Sequence, residues 1–207
     1  MKEYHKIQSV FKRDEQTHKF IMGQYSLPEF EYLKDNLWDY TEKVDGTNIR
    51  VIWDAEKKEV TFKGKTDNAS IPAPLIKVLQ DLFPKDKFIE LYPDNSLCLY
   101  GEGYGAKIQK GGGNYKPDGQ DFALFDVRIG VWWLKREGVE DFSNKLGCRI
   151  VPLVGCGTID QAINVVCVGL TSTWEKFPAE GLVLRPTVEL YNRNGYRIIT
   201  KLKTKDF

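Results

Sequence analysis

The chain has 207 residues and a formal net charge of +1 at pH 7, and 29% of its residues are charged. This length favours a domain with a core of its own, and the charge balance excludes a histone-like polycation. Any contact with nucleic acid must therefore come from a local basic patch. Four cysteines without a C-x-x-C pair and only two histidines argue against a zinc site and predict reduced, largely buried thiols.

The N-terminal segment, MKEYHKIQSVFKRDEQ, lacks the apolar stretch of a signal peptide. No run approaches the roughly 18 apolar residues that a membrane-spanning helix needs. We therefore expect a soluble protein without a membrane partner, located in the cytoplasm, or in the host-cell cytoplasm if a phage encodes it. We also expect a monomer.

In the first two thirds of the chain, the pattern predicts strands interrupted by a helix. Residues 48–54 and 59–65 flank a short polar segment and predict a hairpin. Residues 72–83 begin with prolines and carry apolar side chains at three- and four-residue spacing, which predicts an amphipathic helix. A strand over 96–105 ends in glycines, and a second hairpin over 121–136 turns near Gly130.

The last third predicts two short helices and a final strand pair. Residues 138–147 and 158–169 favour helices, and Thr158 with Gln161 forms a capping-box pattern. The final strands are predicted at 180–190 and 196–203, around turn residues 192–195. Strands outnumber helices without regular alternation, which favours an α+β fold of mainly antiparallel sheets with a few short helices. Because no Pro/Gly/Ser-rich linker divides the chain, we expect one domain over residues 1–207.

Charged or aromatic side chains stand at several predicted strand ends. Taken alone, each is ordinary: a K-x-D-G match is typical of a solvated turn, and a lone phenylalanine is typical of a core. As an ordered set they are hard to attribute to chance. The set comprises K-x-D-G at 43–46, G-E-G-x-G at 101–105, F-D-V at 125–127, E-G-L-V-L-R at 180–185 and K-L-K at 201–203.

This ordered set resembles the covalent nucleotidyltransferase superfamily of polynucleotide ligases and messenger-RNA capping enzymes. The resemblance runs from about residue 40 to residue 203 and is closest to the type-2 ATP-dependent RNA ligases of phages and trypanosome RNA editing. It implies an ATP-grasp-like adenylation domain that uses ATP and Mg²⁺ or Mn²⁺. It also implies RNA ends, a 5′-phosphate and a 3′-hydroxyl, as partners. The G-T-N extension of the first motif, ending at Asn48, favours the RNA ligases.

The resemblance implies a role for individual residues of this chain. Lys43 is the expected nucleophile that becomes adenylated, with Lys201 and Lys203 as catalytic cations. Glu180 and Asp45 are candidate metal ligands. The expected nucleotide-binding residues are Glu42, Asn48, Lys65, Glu102, Phe125 and Glu180, where Phe125 stacks on adenine and Lys65, with Lys63 second, takes the place of a sugar-contacting arginine.

The implied reaction has three steps. The lysine takes AMP from ATP as a phosphoramidate, AMP passes to an RNA 5′-phosphate, and a 3′-hydroxyl displaces AMP and seals the strand. A lysine must be neutral to attack a phosphate, whereas a free lysine has a pKa of about 10.4. Partial burial and neighbouring cations are therefore needed to lower that pKa. The basic, glycine-rich segment 106–116, with Lys107, Lys110 and Lys116, is either an RNA-phosphate grip or a mobile surface loop.

The sequence departs from the family pattern at Asp45, where type-2 RNA ligases commonly have histidine. It also ends four residues after Lys203, so we expect no C-terminal OB or helical domain and allow for an accessory RNA-binding protein. Two alternatives stay open within the superfamily, an ATP-dependent DNA ligase and a GTP-using capping guanylyltransferase. A third, of another class, is a non-catalytic module that binds RNA ends. Nicked, single-stranded and preadenylated substrates are not distinguished.

Overall fold

A computed structural model describes residues 3–174 and 176–207 of the chain. By its internal contacts the chain divides into two compact units. The flanking unit comprises His5–Val44 and Pro152–Phe207, and the inserted unit comprises Asp45–Val151 with Glu3 and Tyr4. The assignment of residues 1–207 to one domain stays a prediction, because two compact units can belong to one domain or to two.

The strands, in chain order, are β1 (Gln8–Ser9), β2 (Phe11–Arg13), β3 (Phe20–Tyr25), β4 (Trp38–Glu42), β5 (Thr47–Asp54), β6 (Glu59–Lys63), β7 (Leu97–Gly105), β8 (Gln120–Ile129), β9 (Trp132–Trp133), β10 (Arg149–Ile150), β11 (Leu153–Gly157), β12 (Gly181–Pro186) and β13 (Thr200–Lys203). The helices are α1 (Pro28–Tyr32), α2 (Ala73–Leu82), α3 (Lys85–Leu91), α4 (Gly112–Tyr115), α5 (Arg136–Leu146) and α6 (Ile159–Gly169), and a 3₁₀ helix covers Thr204–Asp206.

The flanking unit is built on a five-stranded sheet in the order β1-β13-β12-β4-β11. Its pairs are antiparallel except β1 with β13. Side chains on a strand alternate between the two faces. Trp38 of β4, Leu182 and Leu184 of β12 and Leu202 of β13 are therefore buried together in one core, which α6 also joins. The residues between them, including Lys201 and Lys203, lie on the other face.

The inserted unit is built on a six-stranded sheet in the order β10-β8-β7-β5-β6, with β9 beside β8. Its pairs are antiparallel except β10 with β8. One face is apolar: Ile49, Val51 and Trp53 of β5 are buried there with Leu97 and Leu99 of β7. Helices α2 and α5 contact β8 of this sheet. This core fixes which side chains of β5, β7 and β8 lie on the opposite, more polar face.

The fold class predicted from the sequence, α+β with mainly antiparallel sheets and few helices, is confirmed. The helix predicted at residues 72–83 is α2, and the hairpin predicted over 121–136 turns at Gly130, whose φ of +57° suits glycine. The final strand pair is shorter than predicted because β12 ends at Pro186, which has no N–H to donate. The sequence analysis missed α3, a helix of seven residues that is too short to show periodicity.

The prediction of largely buried thiols is wrong for half of the cysteines. Cys98 is buried and Cys148 partly buried, but Cys156 and Cys167 are exposed. Cys167 lies on α6 and Cys156 on β11, a strand at the edge of its sheet. In residues 3–174 and 176–207, no helix is both long enough and apolar enough to cross a membrane.

The capping box at the start of α6 gives a test of the fold. Gln161 N–H donates to Thr158 Oγ1 at 3.3 Å, and Thr158 N–H donates to the Gln161 side chain at 2.9 Å. We expect Thr158→Ala to lower the free energy of unfolding by about 1 kcal/mol, because it leaves a helix N–H without its acceptor. Urea denaturation measures this, with exposed Thr66→Ala as the control, which should stay within about 0.5 kcal/mol of the wild type. Equal losses in both variants would contradict the capping role.

Candidate active site

Three neighbouring strands of the flanking unit, β4, β12 and β13, have termini at the same end of its sheet. Lys43 follows the last residue of β4, and its N–H donates to the carbonyl of Gly181, the first residue of β12, at 2.9 Å. Glu180 immediately precedes β12. Lys203, the last residue of β13, lies opposite Gly181 in the register. The antiparallel order β4-β12-β13 therefore places Lys43, Glu180 and Lys203 side by side.

Gly181 is required for this arrangement. Its φ is +154°, and a Cβ built on it would lie 2.0 Å from the carbonyl oxygen of Leu202. Any side chain there would collide with the backbone of β13, and a backbone atom cannot swing away as a side-chain tip can. The glycine of the E-G-L-V-L-R motif thus lets β12 begin directly against β13, with Glu180 beside Lys203.

The three side chains form one ion network. Lys43 Nζ lies 2.6 Å from Glu180 Oε2, and Lys203 Nζ lies 2.6 Å from Glu180 Oε1. The side chains are 22%, 16% and 20% exposed for Lys43, Glu180 and Lys203, respectively. A single carboxylate thus accepts from two ammonium groups in a partly desolvated setting. Burial by itself raises the pKa of Glu180, but the charges and hydrogen bonds of the two lysines outweigh it, and the pKa is lowered from its ordinary value.

Glu42 and Lys201 flank this network along their strands. Glu42 is 2% exposed, and its Oε2 accepts from the N–H of Thr173 at 3.1 Å and from the Thr173 hydroxyl at 3.4 Å. Lys201 is half-buried, lies opposite Val183 in the register and shares a face of β13 with Lys203. The carboxylate of Glu42 therefore ties the segment around Thr173 to the strand that ends at the predicted nucleophile.

In the inserted unit, Asn48 and Glu102 lie directly opposite each other on β5 and β7. The glycines on either side of Glu102 face the core: a Cβ on Gly101 would lie 2.1 Å from the ring of Phe122, and one on Gly103 would lie 2.4 Å from Leu75. Because the core fills that space, only glycine fits, and Glu102 is left on the opposite face with Asn48. Asn48 Oδ1 is buried and has no hydrogen-bond partner among the described residues.

A β-bulge places Phe125 on the same face. Leu124 pairs with Gly101 and Asp126 with Tyr100, so Phe125 is an extra residue between two successive pairs. Tyr4 contacts both bulge residues: its ring lies 5.1 Å from that of Phe125 at 77°, and its hydroxyl donates to Asp126 Oδ2 at 2.8 Å. The bulge leaves an aromatic side chain on the polar face beside the strand that carries Glu102.

The remaining predicted residues of the inserted unit lie in loops. Asp45 Oδ2 accepts from the N–H of Gly111 at 2.9 Å. Lys107 and Lys110 are exposed, whereas Lys116 forms an ion pair with Asp121 at 3.1 Å. Lys65 is exposed in the loop after β6, where the neighbouring Lys63 pairs with Asp67 at 3.2 Å. Asp67 also accepts from Arg50, a fully buried guanidinium. The roles of these residues, including a metal role for Asp45, stay predictions.

The donor chemistry of the flanking unit suits one particular way of holding a metal. Among the described residues no three His, Cys, Asp or Glu side chains cluster closely enough to hold an ion. Magnesium is commonly held by one or two carboxylates together with waters and substrate phosphates. Glu180, a hard oxygen donor that is 16% exposed, fits that arrangement, in which most ligands arrive with a nucleotide.

Sequence reasoning missed three participants in these arrangements. Tyr4 is 122 positions away from Asp126 along the chain, and Thr173 is 131 positions away from Glu42. No local sequence pattern predicts contacts between residues so far apart along the chain. The third is the bulge at Phe125, which leaves no mark in the letters of the F-D-V motif.

The lowered pKa of Glu180 predicts how its ion network depends on pH. A carboxylate whose pKa is lower in the folded chain stabilises the fold at pH values above its ordinary pKa of about 4.3. That stabilisation is lost as the pH falls through the lowered pKa of the folded chain. We therefore expect the difference in unfolding free energy between wild type and Glu180→Gln to stay constant from about pH 7 to about pH 5 and to narrow as the pH falls below about 4.3.

Urea denaturation across that pH range measures this difference. Glu140→Gln is the matched control, because Glu140 pairs with Arg136 on an exposed helix face, where a single ion pair contributes little. A gap between wild type and Glu180→Gln that stays constant across the series would contradict the ion network.

The chain matches the RNA ligase family over residues 37–203. Its fold is also similar to solved structures of Naegleria gruberi RNA ligase. An apo mutant of that protein has 19% sequence identity and a TM-score of 0.67, over 98% of this chain and 57% of that one. Two other mutants, both with ATP and Mn, have 20% identity each and TM-scores of 0.66 and 0.69, covering 97% and 98% of this chain and 57% and 56% of the other.

The present chain therefore spans little more than half the length of those solved structures. At these identities, the structural similarity shows a common fold. The family match shows more than the fold, because it includes Lys43, Glu180 and Lys203 at their strand ends. The chain belongs to the RNA ligase family.

Proposed function

We propose that the chain is an adenylyltransferase domain of an ATP-dependent RNA ligase of the type-2 branch. The observation that carries this proposal is the ion network in which Glu180 holds Lys43 and Lys203 at three adjoining strand ends. Membership of the RNA ligase family supports it, as does the fold shared with a ligase whose solved structures contain ATP and Mn. A module that only binds RNA ends has no need of this arrangement.

In the proposed first step, the Lys43 ammonium loses a proton to solvent, and the neutral amine attacks the α-phosphorus of ATP. An N–P bond forms, the bond from the α-phosphorus to the bridging oxygen breaks, and pyrophosphate leaves. A second proton leaves the nitrogen for solvent as the N–P bond forms. The AMP then passes to the 5′-phosphate of an RNA, and a 3′-hydroxyl displaces it to form the phosphodiester. Lys203, with Lys201 on the same strand face, is placed to balance the negative charge that develops on the leaving pyrophosphate.

The ion network fixes where the Lys43 amine is directed. Each Nζ donates to Glu180, so the Lys43 amine is directed at a carboxylate. A triphosphate brings several negative charges that compete with Glu180 for both lysines. We propose that this exchange releases Lys43 for attack and moves Lys203 to the phosphates.

Glu180, once released, would hold Mg²⁺ or Mn²⁺ as one oxygen ligand. The ion supplies charge neutralisation for the phosphates when it is bound. A glutamate with an ordinary pKa of about 4.3 is ionised near neutral pH, which is the form that a hard cation requires.

The roles proposed for the inserted unit rest on the shared polar face of its sheet. Phe125, held by Tyr4, offers an aromatic surface for adenine. Glu102 offers a carboxylate for a ribose hydroxyl, and the buried, unpartnered Oδ1 of Asn48 offers an acceptor for a ligand donor. Lys65 remains the proposed cation near the sugar. Each of these roles is testable by its own alanine variant.

The substrate is proposed to be an RNA strand with a 5′-phosphate and an acceptor with a 3′-hydroxyl. Side-by-side ligation of nicked RNA, nicked DNA and hybrid duplexes tests this choice. Preference for DNA acceptors would place the chain with DNA ligases instead. An accessory RNA-binding protein and a monomeric state belong to the same proposal.

The nucleophile is tested by covalent labelling. With magnesium and α-labelled ATP, we expect label to remain on the denatured protein, and Lys43→Ala should abolish it because no amine remains at that strand end. Lys77→Ala, at an exposed position of α2, is the control and should label normally. Label that persists in the Lys43 variant would exclude the assignment, and label from GTP alone would favour a capping enzyme.

The two partners of Lys43 are tested separately from folding. We expect Glu180→Ala and Lys203→Ala each to lower the adenylation rate by about a hundredfold or more, the scale of a removed electrostatic stabiliser. The thermal midpoint of Glu180→Ala should fall, because two partly buried ammonium groups lose their shared carboxylate. The rates are therefore compared at a temperature at which each variant is folded. If either variant loses activity only in proportion to the fraction unfolded, that residue is structural and the proposed role is wrong.

A further inference from the structure

The loop that joins β7 to β8 is held at its middle by a residue of the first motif. Asp45 Oδ2 accepts the N–H of Gly111 at 2.9 Å, one residue before α4 begins. The next residue packs closely as well, because a Cβ on Gly112 would lie 2.7 Å from the carbonyl oxygen of Gly105 and 3.3 Å from that of Asp45. The loop backbone therefore rests directly on Asp45.

The same loop contains backbone strain. Lys107 has a φ of +65° and Gln109 a φ of +51°, a region that residues with a side chain seldom occupy. Between them, Ile108 is 4% exposed and belongs to the apolar core of the inserted unit. Such strain persists only where the surroundings fix the conformation, and it concentrates at functional sites.

Further along the loop, the ring of Tyr115 packs edge-on against Tyr104 at 5.8 Å. Three anchors thus fix the loop: Ile108 in the core, Asp45 on Gly111, and Tyr115 on Tyr104. Within residues 106–113, the side chains of Lys107, Gln109 and Lys110 remain exposed; later in the loop, Asn114, Pro117 and Asp118 are exposed as well. Residues 106–113 therefore present two cations and an amide from a fixed backbone rather than from a mobile one.

We propose that residues 106–113 form a preorganised clamp for the phosphodiester backbone of an RNA strand, and that Asp45 is the positioning residue that sets its geometry. This inference rests on the proposed function, because it takes the ligase substrate as its ligand. Lys107 and Lys110 supply the charge, and the Asp45–Gly111 hydrogen bond holds the backbone that carries the two ammonium groups. Asp45 acts through the loop and does not touch the RNA.

Because an Asp45 variant changes the net charge, its RNA affinity distinguishes a positioning role of Asp45 from an effect of net charge alone. Removing this carboxylate makes the protein more positive by one charge, which by itself strengthens binding to a polyanion. The clamp predicts the opposite for Asp45→Ala: affinity for a 5′-phosphorylated single-stranded RNA oligonucleotide falls about tenfold near about 0.1 M salt. Asp45→Asn carries the same charge change but keeps an oxygen that accepts from Gly111, so it should bind at least as well as the wild type.

Fluorescence anisotropy with that labelled oligonucleotide measures the affinities. Weak binding by both Asp45 variants would overturn the inference, since it would mean that the charged carboxylate itself is needed, as for a metal ligand. Unchanged or tighter binding by Asp45→Ala would also overturn it.

Gly111→Ala tests the contact from its other side, in case Asp45→Ala does not fold. Gly111 has φ −95° and ψ −8°, which alanine tolerates, but the new Cβ would lie 2.6 Å from Asp45 Oδ2. The variant keeps every charge and should weaken RNA binding as Asp45→Ala does. Wild-type affinity in a folded Gly111→Ala protein would contradict the clamp.

The contribution of Lys107 and Lys110 to RNA binding is tested by the dependence of RNA affinity on salt concentration. A phosphate contact on a single strand contributes about 0.7 to the slope of log affinity against log salt, so the double variant Lys107→Ala/Lys110→Ala should reduce the slope by about 1.4. Lys77→Ala, an exposed lysine on α2, should leave the slope unchanged. An equal reduction in both would mean that binding reflects overall charge, and the clamp would be rejected.

Hydrogen exchange distinguishes failure of the clamp from failure of the proposed function. The Gly111 amide should be protected in the wild type and in Asp45→Asn, and should exchange at least about tenfold faster in Asp45→Ala. Exchange and RNA binding need no catalysis, so they decide the inference even if Lys43 is never adenylated. Equal protection of Gly111 in all variants would remove Asp45 from its proposed position.

Discussion

The carboxylate of Glu180 is the one group on which the rest of this site depends. It lies 2.6 Å from the ammonium groups of both Lys43 and Lys203, and without it two partly buried cations would face each other at adjoining strand ends. Leaving buried charge uncompensated is strongly unfavourable. In the proposed function, this pairing directs the Lys43 amine at a carboxylate, and substrate charge replaces protein charge before chemistry begins.

Glycines make the positions of Glu180 and Glu102 sterically possible. Gly181 lets β12 start against the backbone of β13, and Gly101 and Gly103 yield their side-chain space to Phe122 and Leu75 so that Glu102 lies on the polar face. In each case the neighbouring atoms are either backbone or fully packed core. The glycines of these motifs thus have a packing reason that is separate from the chemistry of the residues beside them.

The sequence predicted those parts of the molecule that depend on local pattern. Amphipathic spacing identified α2, and reciprocal capping identified the start of α6, because both signals lie within a few residues. The positions of Glu180 and Lys203 at strand ends were predicted from the sequence, but β4, the strand that ends just before Lys43, was not. Contacts made by folding could not be predicted: Tyr4 with Asp126, Thr173 with Glu42, and the extra residue at Phe125. Each depends on register or on partners more than 100 positions away.

The most direct test of the account is a crystal structure of the wild-type chain with magnesium and an ATP analogue that cannot be cleaved at the α-phosphorus. The measurement is the distance from Glu180 to each of the two lysine Nζ atoms, now 2.6 Å for both. We predict that both distances exceed about 4 Å, the limit of an ion pair, with Lys43 Nζ facing the α-phosphate and Lys203 Nζ at the phosphates. An intact ion network with nucleotide bound would contradict the central claim that Glu180 releases the nucleophile.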